Sequence, residues 1–229
     1  PPPPPPPPTP PTTTTSTTTP TLPGKPPHLP EEPAYHPGEI AYFSEIAGRP
    51  EFGDTGGVLH RWEIDLLVEV HGAPSGEDLA ALNALLSELN TILEPIEIRL
   101  VDEGGTVDLH YAPEAEFPAI EPNYQPGNSG YVYVWWNGRG EIVRARVLVS
   151  TGVAPRFRHH LLREELTQAL GLLNDSWEYE DSIFYQGWTG TQAYAPIDVK
   201  VIEMLYRPEV RSGMEIDDAV AILSGLSGD

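Results

Sequence analysis

Apolar positions recur along residues 75–93, SGEDLAALNALLSELNTIL, at the spacing of an amphipathic helix. Ser75 is placed to cap the first turn, and acidic side chains follow it, as at many helix starts. Four shorter stretches are instead rich in β-branched and aromatic residues, which is typical of strands. They are 62–70 (WEIDLLVEV), 96–101, 107–112 and, as two strands around the turn Asn137-Gly138, 131–150.

The second half of the chain is mainly helical in pattern. The helical segments are 156–173, ending near Gly171, then 194–206, with Pro196 in its first turn, and 215–226. A short amphipathic element is predicted over 38–53, and the Pro, Gly and Asn of 113–130 predict a long loop. Strands interspersed with helices, with a hairpin among them, predict an α+β fold containing a twisted, mixed sheet of about five strands.

Residues 1–37 differ in composition from the rest of the chain. They are mostly Pro and Thr, beginning PPPPPPPPTPPTTTTSTTTP, and hold almost no aliphatic side chains. Such a segment cannot bury enough apolar surface to offset the entropy of ordering it, so we interpret it as a disordered linker or stalk before one domain over 38–229. It is either a semi-rigid spacer, which points to a secreted or envelope protein, or a docking ligand for a proline-binding module. The lack of a basic residue near the PxxP repeats favours the spacer.

Charge and composition narrow the classes of function. The formal net charge is −21, and a surface so acidic repels phosphate backbones, so nucleic-acid binding is not expected. Cysteine is absent, which excludes disulfides and thiolate metal sites. No run of 18 apolar residues occurs, so we expect no transmembrane helix. The chain begins inside the Pro/Thr tract, which suggests a processed or trimmed form.

The stretch EELTQALGLLND, residues 164–175, resembles the active-site helix of the metzincin branch of the zincin metallopeptidases, whose signature is HExxHxxGxxH. In that frame Glu164, Gln168 and Asn174 occupy the three histidine positions. The other signature positions are kept: the general-base glutamate at Glu165, the turn glycine at Gly171 and the acidic residue that follows at Asp175. The order of elements also resembles that fold, with a backing helix behind the sheet, an active-site-type helix and C-terminal helices.

Over a longer span, the chain is identified as a member of the DUF2927 family, a bacterial family of unknown function often predicted as secreted proteins or lipoproteins. The resemblance runs through most of residues 39–226. It rests on the stretches YFSEIAGRPEFG, VLHRWEIDLLVEVHG, REELTQALGLLND, DSIFYQGWTG and IDVKVIEMLYRPEVRSGM. It implies an extracytoplasmic zincin-like domain and brings no established activity.

The residues at the histidine positions leave three kinds of chemistry open. Zinc prefers nitrogen and sulfur ligands, so one carboxylate and two amides disfavour it, and they would hold Ca²⁺ or Mg²⁺ only weakly. We therefore expect no metal cofactor, with a weakly bound divalent cation as the exception. In a second interpretation Gln168 and Asn174 simply hydrogen-bond the local backbone, and Glu164 pairs with a neighbouring Arg or His. In a third, Glu165 is a general base acting on water without a metal.

Further candidates surround this helix. Tyr185, Trp188 and Tyr194 are candidates to line a cleft, and Asp175 and Asp198 could cap helix ends or bond across its floor. The adjacent pair His159 and His160 face different directions on a helix, so one of them is expected to cap or pack at the helix start. These assignments place the candidate site along 164–175 and the loop 181–190.

The strand 131–136, YVYVWW, is apolar on both faces. As an edge strand it could pair with an extended peptide, since an exposed edge is normally covered or used. The alternative, slightly favoured, is that Trp135 and Trp136 pack under the 113–130 loop.

Two functions follow from these patterns. The favoured one is a non-catalytic module with a degenerate metal site, which binds a peptide or protein partner in the cleft or along 131–136. The other is an atypical peptidase or hydrolase that uses Glu165 as general base, with no zinc or with an oxygen-ligated cation.

Overall fold

A computed structural model of the chain describes residues 34–48 and 57–226. Within these ranges the chain forms a five-stranded sheet and six α-helices. The helices are α1 (Pro37–Gly48), α2 (Gly76–Leu89), α3 (Phe117–Ile120), α4 (Pro155–Gln168), α5 (Pro196–Tyr206) and α6 (Ile216–Ser224). The strands are β1 (Leu66–Gly72), β2 (Ile98–Val101), β3 (Val107–Ala112), β4 (Gly130–Trp136) and β5 (Ile142–Ser150). The predicted mixed sheet of about five strands is confirmed.

The strand order across the sheet is β2-β1-β3-β5-β4. The pairs β1–β2, β1–β3 and β3–β5 are parallel, whereas β4 is antiparallel to β5 and forms the predicted hairpin with it. β3 is buried along most of its length, as expected of a central parallel strand. Among the strands that the structure describes, β4 pairs only with β5 and therefore forms an edge of the sheet.

Helix α2 begins as the sequence predicted. The Ser75 hydroxyl accepts a hydrogen bond from the Asp78 backbone N–H, and the Asp78 carboxylate accepts one from the Ser75 N–H at 2.8 Å. This reciprocal pair satisfies donors that the first turn of a helix otherwise leaves without partners. Leu82, Leu86 and Leu89 point into the core, while Leu79 is 38% exposed.

Asp78 also ties α2 to α4. Arg158 donates from Nε to Asp78 Oδ1 at 2.7 Å, and His159 Nε2 lies 3.1 Å from the same oxygen. Burial alone would raise the pKa of Asp78, but the hydrogen bonds from Arg158 and Ser75 outweigh it and lower the pKa to about 2. One turn further along α4, Arg163 pairs with Glu88 of α2 at 2.8 Å. These contacts hold α4 in a fixed orientation beside the sheet.

Helix α4 buries an apolar stripe against β4 and β5 through Leu161, Leu162 and Leu166. It ends at Gln168, and the chain turns away at Gly171, whose φ of +118° favours glycine. A Cβ there would lie 1.9 Å from the carbonyl oxygen of His60, so the close approach of two backbone segments also requires glycine. The prediction of a turn at Gly171 is confirmed, although the helix ends three residues before it.

The structure differs from the sequence predictions in two further places. The segment 113–130, predicted as loop, contains a 3₁₀ turn (Glu114–Glu116) and the short helix α3. Its aromatic side chains, Phe117 and Tyr124, pack on Tyr131 and Leu148 of the sheet.

The expectation that Trp135 and Trp136 lie under this loop is wrong for Trp136, which is 40% exposed. Trp135 contacts the ring of Tyr133 and lies 5.5 Å from the guanidinium of Arg146, which donates to the Ile120 carbonyl of the segment at 2.7 Å. On the sheet, Tyr131 and Leu148 are the buried side chains that pack against this segment.

The N-terminal boundary also differs slightly. Tyr35 is 5% exposed, and the backbone N–H of Ala34 donates to the carbonyl of Leu226 at 3.0 Å. Residues 34–37, assigned to the linker from the sequence, thus belong to the folded domain. The rest of the predicted linker, residues 1–33, lies outside the described residues. None of the helices within 34–48 and 57–226 has the length and apolar character needed to cross a bilayer.

Candidate functional site

A cleft of about 540 Å³ lies between α4 and the edge strand β4, with the 185–188 loop on its third side. The sequence motif 164–175 contributes one wall and β4 the other. The lining residues are Gly127–Val134, Trp136, His160, Leu161, Glu164, Glu165, Gln168, Leu173, Asp175 and Tyr185–Trp188. Of the candidate residues named from the sequence, six therefore line one cleft: Glu164, Glu165, Gln168, Asp175, Tyr185 and Trp188.

Glu165 lies where α4 approaches the start of β4. Its side chain is largely buried, at 7% exposure for the residue. A Cβ on Gly130 would meet the Glu165 carboxylate and the end of the Leu161 side chain, so glycine at the start of β4 leaves room for this carboxylate in its present position. The glycine and the glutamate together bring the helix close to the edge strand.

Glu164 pairs with His160, one turn earlier on α4. The distance between Glu164 Oε2 and His160 Nε2 is 3.3 Å, and both residues line the cleft. Burial would lower the pKa of His160, but the hydrogen bond and negative charge of Glu164 outweigh it and raise the pKa. The other ring nitrogen, Nδ1, lies 3.0 Å from the carbonyl oxygen of Thr191 and donates to it. His160 thus fastens the loop before α5 to the cleft wall.

Gln168 closes the end of the same wall. Its Nε2 donates to Asp175 Oδ1 at 2.7 Å, across the turn made by Gly171. Both side chains line the cleft. The interpretation in which Gln168 makes a local hydrogen bond matches this geometry, with a carboxylate in place of backbone as acceptor.

Asn174 lies apart from the other two residues at the histidine positions. Its Nδ2 donates to the carbonyl oxygen of Glu45 at 3.1 Å, and its backbone N–H donates to Ile46 at 3.1 Å. The chain beyond Gly171 therefore directs Asn174 to α1 and Asp175 to the cleft. Asn174 therefore does not line the cleft beside Glu164 and Gln168, whereas Asp175 does.

Asp198 is fully buried and does not line the cleft. It caps α5 by accepting the Ala195 N–H at 2.8 Å, and it also accepts from Ser182 Oγ at 2.6 Å and the Ile183 N–H at 3.0 Å. Burial raises its pKa despite these three donors. Of the two roles predicted for Asp198, helix capping matches the geometry and bonding across the cleft floor does not.

Tyr185 and Trp188 line the cleft, but Tyr194 does not. The Tyr194 hydroxyl lies 2.6 Å from Thr167 Oγ1, and the Arg163 guanidinium lies 4.4 Å from the centre of its ring. Burial raises the pKa of the Tyr194 phenol. Tyr194 therefore packs α4 against the chain that leads into α5, which corrects its assignment to the cleft.

The place of His160 in the cleft was not predicted: the sequence assigned one of His159 and His160 to the helix start and left open which. In the structure His159 has that role through Asp78, and His160 lines the cleft. The signal was present: His160 precedes Glu164 by four residues, the spacing that places two side chains on one helix face. Gln186 and Gly187 also line the cleft, and nothing in the sequence distinguished them from the other residues of the 181–190 loop.

No group of three or more His, Asp or Glu side chains within 34–48 and 57–226 is arranged to hold a metal ion. The cleft donors are mainly carboxylate and amide oxygens, with His160 as the single imidazole. This donor set does not match the nitrogen- and sulfur-rich ligation that zinc prefers.

Comparison with known proteins gives one firm assignment. No curated protein sequence matches the chain. Two structures of myroilysin match at 11% identity: one with a TM-score of 0.42, over 66% of this chain and 96% of that chain, and one with a TM-score of 0.35, over 88% and 80%. These scores are too low to transfer a site or an activity. A family model described as "Protein of unknown function (DUF2927)" matches residues 39–225, and the chain belongs to that family.

Proposed function

We propose that the cleft between α4 and β4 binds an extended segment of a peptide or partner protein, laid alongside β4, without zinc-dependent turnover. The observation that carries this proposal is the position of β4. It is an edge strand whose far side is not paired with another strand of the described sheet, and six of its residues line the cleft: Gly130, Tyr131, Val132, Tyr133, Val134 and Trp136.

An edge strand beside a cleft suits recognition by strand addition. The backbone groups of such a strand can pair with an extended segment, and pockets for alternate side chains then give selectivity. Here the opposite wall is α4, held in place by its ion pairs with α2, so the cleft is largely pre-formed. A pre-formed cleft lowers the ordering cost of binding.

The side chains of the motif support binding more than metal chemistry. Glu164 is paired with His160, and Gln168 donates to Asp175, so both are engaged in contacts within the cleft wall. Asn174 is directed to α1. We therefore propose that EExxQxxGxxN is a degenerate form of the metzincin signature and that the domain is zincin-like in origin and non-catalytic.

The proposed location is outside the cytoplasm. Its support is the Pro/Thr tract of residues 1–33, whose composition is typical of an extended spacer. Export of a full-length reporter fusion, compared with a fusion to the domain alone, would test it.

The binding proposal can be tested with a phage-displayed library of random dodecapeptides, selected on the purified chain. Trp188 lines the cleft and is 62% exposed, so Trp188→Ala should remove contact area without disturbing the core, and enriched peptides should bind it about tenfold more weakly. Ile64→Ala is the matched control, because Ile64 is 58% exposed and does not line the cleft. Equal loss in both variants, or no enriched peptide, would contradict the proposal.

One observation favours the alternative of a hydrolase: Glu165 is a largely buried carboxylate inside the cleft. Burial and neighbouring groups are what tune a carboxylate to act as a general base. The alternative predicts cleavage of a quenched fluorescent peptide library that Glu165→Gln abolishes while the fold survives. The binding proposal predicts no cleavage by either form.

A further inference from the structure

We infer that the segment bound in the cleft carries a lysine or arginine side chain, which is seated among Glu164, Glu165 and Asp175 and covered by the aromatic rings of the 185–188 loop. This inference rests on the proposed function, since it names the chemistry of the occupant of the same cleft.

The first argument is the sign of the charge. Three carboxylates line the cleft, against one imidazole, and none of the described lining residues is Lys or Arg. Arg156 is not a lining residue, and its Nε donates to the Gly190 carbonyl at 3.3 Å. Even with His160 protonated, carboxylates exceed cations in the cleft, and low-dielectric walls concentrate such a field.

The second argument is the aromatic surface at the mouth of the cleft. Tyr185 and Trp188 line it from the loop, and Trp136 lines it from the end of β4. Trp188 contacts Phe157 at a tilted angle, with ring centres 5.2 Å apart, and is still 62% exposed, so much of the indole surface is accessible. Ring faces attract ammonium and guanidinium groups, and carboxylates beside them bind the same groups by charge-assisted hydrogen bonds.

Neutral apolar or acidic occupants fit these features less well. An acidic side chain would be repelled by the three carboxylates, and an aliphatic one would desolvate them without replacing their hydrogen bonds to water. A long cationic side chain fits both the carboxylates and the aromatic rings, because its apolar stem can contact the rings while its charged end reaches the carboxylates.

The test uses three fluorescein-labelled octapeptides in which Thr alternates with Lys, with Gln or with Glu. Their dissociation constants are measured by fluorescence anisotropy on the full chain at about physiological salt. We expect the Lys peptide to bind about tenfold more tightly than the Gln peptide, as one hydrogen bond to a charged group would give. The Glu peptide should bind most weakly.

Two isosteric variants separate the cleft from the general acidity of the chain. Glu164→Gln removes a carboxylate from the cleft wall, whereas Glu103→Gln removes one at an exposed position of the turn between β2 and β3. The Lys-to-Gln affinity ratio should fall to about threefold or less in Glu164→Gln and stay near tenfold in Glu103→Gln. Asp175→Asn provides a second cleft variant if Glu164→Gln fails to fold.

The outcomes separate the inference of a cationic side chain from the proposal that the cleft binds an extended segment. Equal affinity for the Lys and Gln peptides would overturn the inference and leave segment binding intact. Equal loss of the ratio in Glu164→Gln and Glu103→Gln would also overturn it, because the preference would then come from the net charge. If none of the three peptides bound at concentrations up to about 1 mM, both the inference and the proposed function would fall.

Discussion

Gln168 donates a hydrogen bond to Asp175 across the turn at Gly171, so that the end of α4 and the chain beyond it form one wall of the cleft. The two residues are seven apart, and the glycine between them makes the close approach possible. This contact gives the Gln168 amide a carboxylate partner within the cleft wall.

Removal of this donor should destabilise the domain. Gln168→Ala leaves the partly buried Asp175 carboxylate with one fewer hydrogen bond, at a cost of about 1–2 kcal/mol in the free energy of unfolding. Asn174→Ala is the control, because Asn174 bonds a backbone carbonyl from a more exposed position, and it should cost less than about 1 kcal/mol. Urea denaturation of both variants checks this, and a larger loss in Asn174→Ala would contradict it.

Gly171→Ala should be far more damaging. The added Cβ would collide with the His60 carbonyl oxygen, and the φ of +118° is one that alanine rarely adopts. We expect a loss of more than about 3 kcal/mol, or failure to accumulate as soluble protein. Gly138→Ala, at a position with nothing within 4 Å, should change the unfolding free energy by less than about 1 kcal/mol. Similar unfolding free energies for the two variants would contradict this prediction and show that the backbone at residue 171 can move to accommodate a Cβ.

The pH dependence of stability should reflect Asp78. Its pKa is lowered to about 2 in the folded chain from an ordinary value of 3.8, so its contribution is fully present above about pH 4 and is lost as the pH falls towards 2. A shift of this size corresponds to roughly 2 kcal/mol. Asp78→Asn should therefore lower stability at neutral pH by about that amount and flatten the acid limb of the stability curve.

The control for Asp78 is Asp65→Asn, which removes an exposed ion pair with Arg99 at 2.8 Å. Exposed pairs contribute about 1 kcal/mol or less. Thermal melts between about pH 2 and pH 7 would distinguish the two variants. An unchanged acid limb in Asp78→Asn would contradict the assignment of this carboxylate.

Introducing histidines should reveal whether position 174 or position 175 can supply a third zinc ligand beside positions 164 and 168. The double variant Glu164→His, Gln168→His places two imidazoles on one face of α4. Because Asp175 lines the cleft and Asn174 is held at α1, adding Asp175→His should raise zinc affinity at least about tenfold more than adding Asn174→His. Competition titration with a zinc chelator measures the two affinities. Tighter zinc binding with Asn174→His than with Asp175→His would contradict the prediction.

The elements with strong local patterns were predictable from the sequence. The Ser75 cap, the Asn137-Gly138 hairpin and the first turn of α5 each depend on a few neighbouring residues, and all three occur as expected. The glycine turn after α4 was also predictable, because the motif fixes its spacing.

Residues that depend on distant partners were not predictable in the same way. Tyr194 and Asn174 are directed by Thr167 of α4 and Glu45 of α1, which only the tertiary arrangement brings near. Trp135 and Trp136 looked like core residues by type, yet Tyr131 and Leu148 take the packing under the 113–130 segment. Periodicity identifies the face of an element, and it does not identify what covers that face.

The edge hairpin also bears on how the chain folds. β4 and β5 are joined by residues 137–141 alone, whereas the parallel pairings connect segments that are distant along the chain. Hairpins close within about 1–10 μs, and pairings between remote segments form later because a longer loop must be closed. We therefore expect β4 to be formed while α4 is still unpacked, which makes this strand the segment through which partly folded chains would first associate during refolding at high concentration.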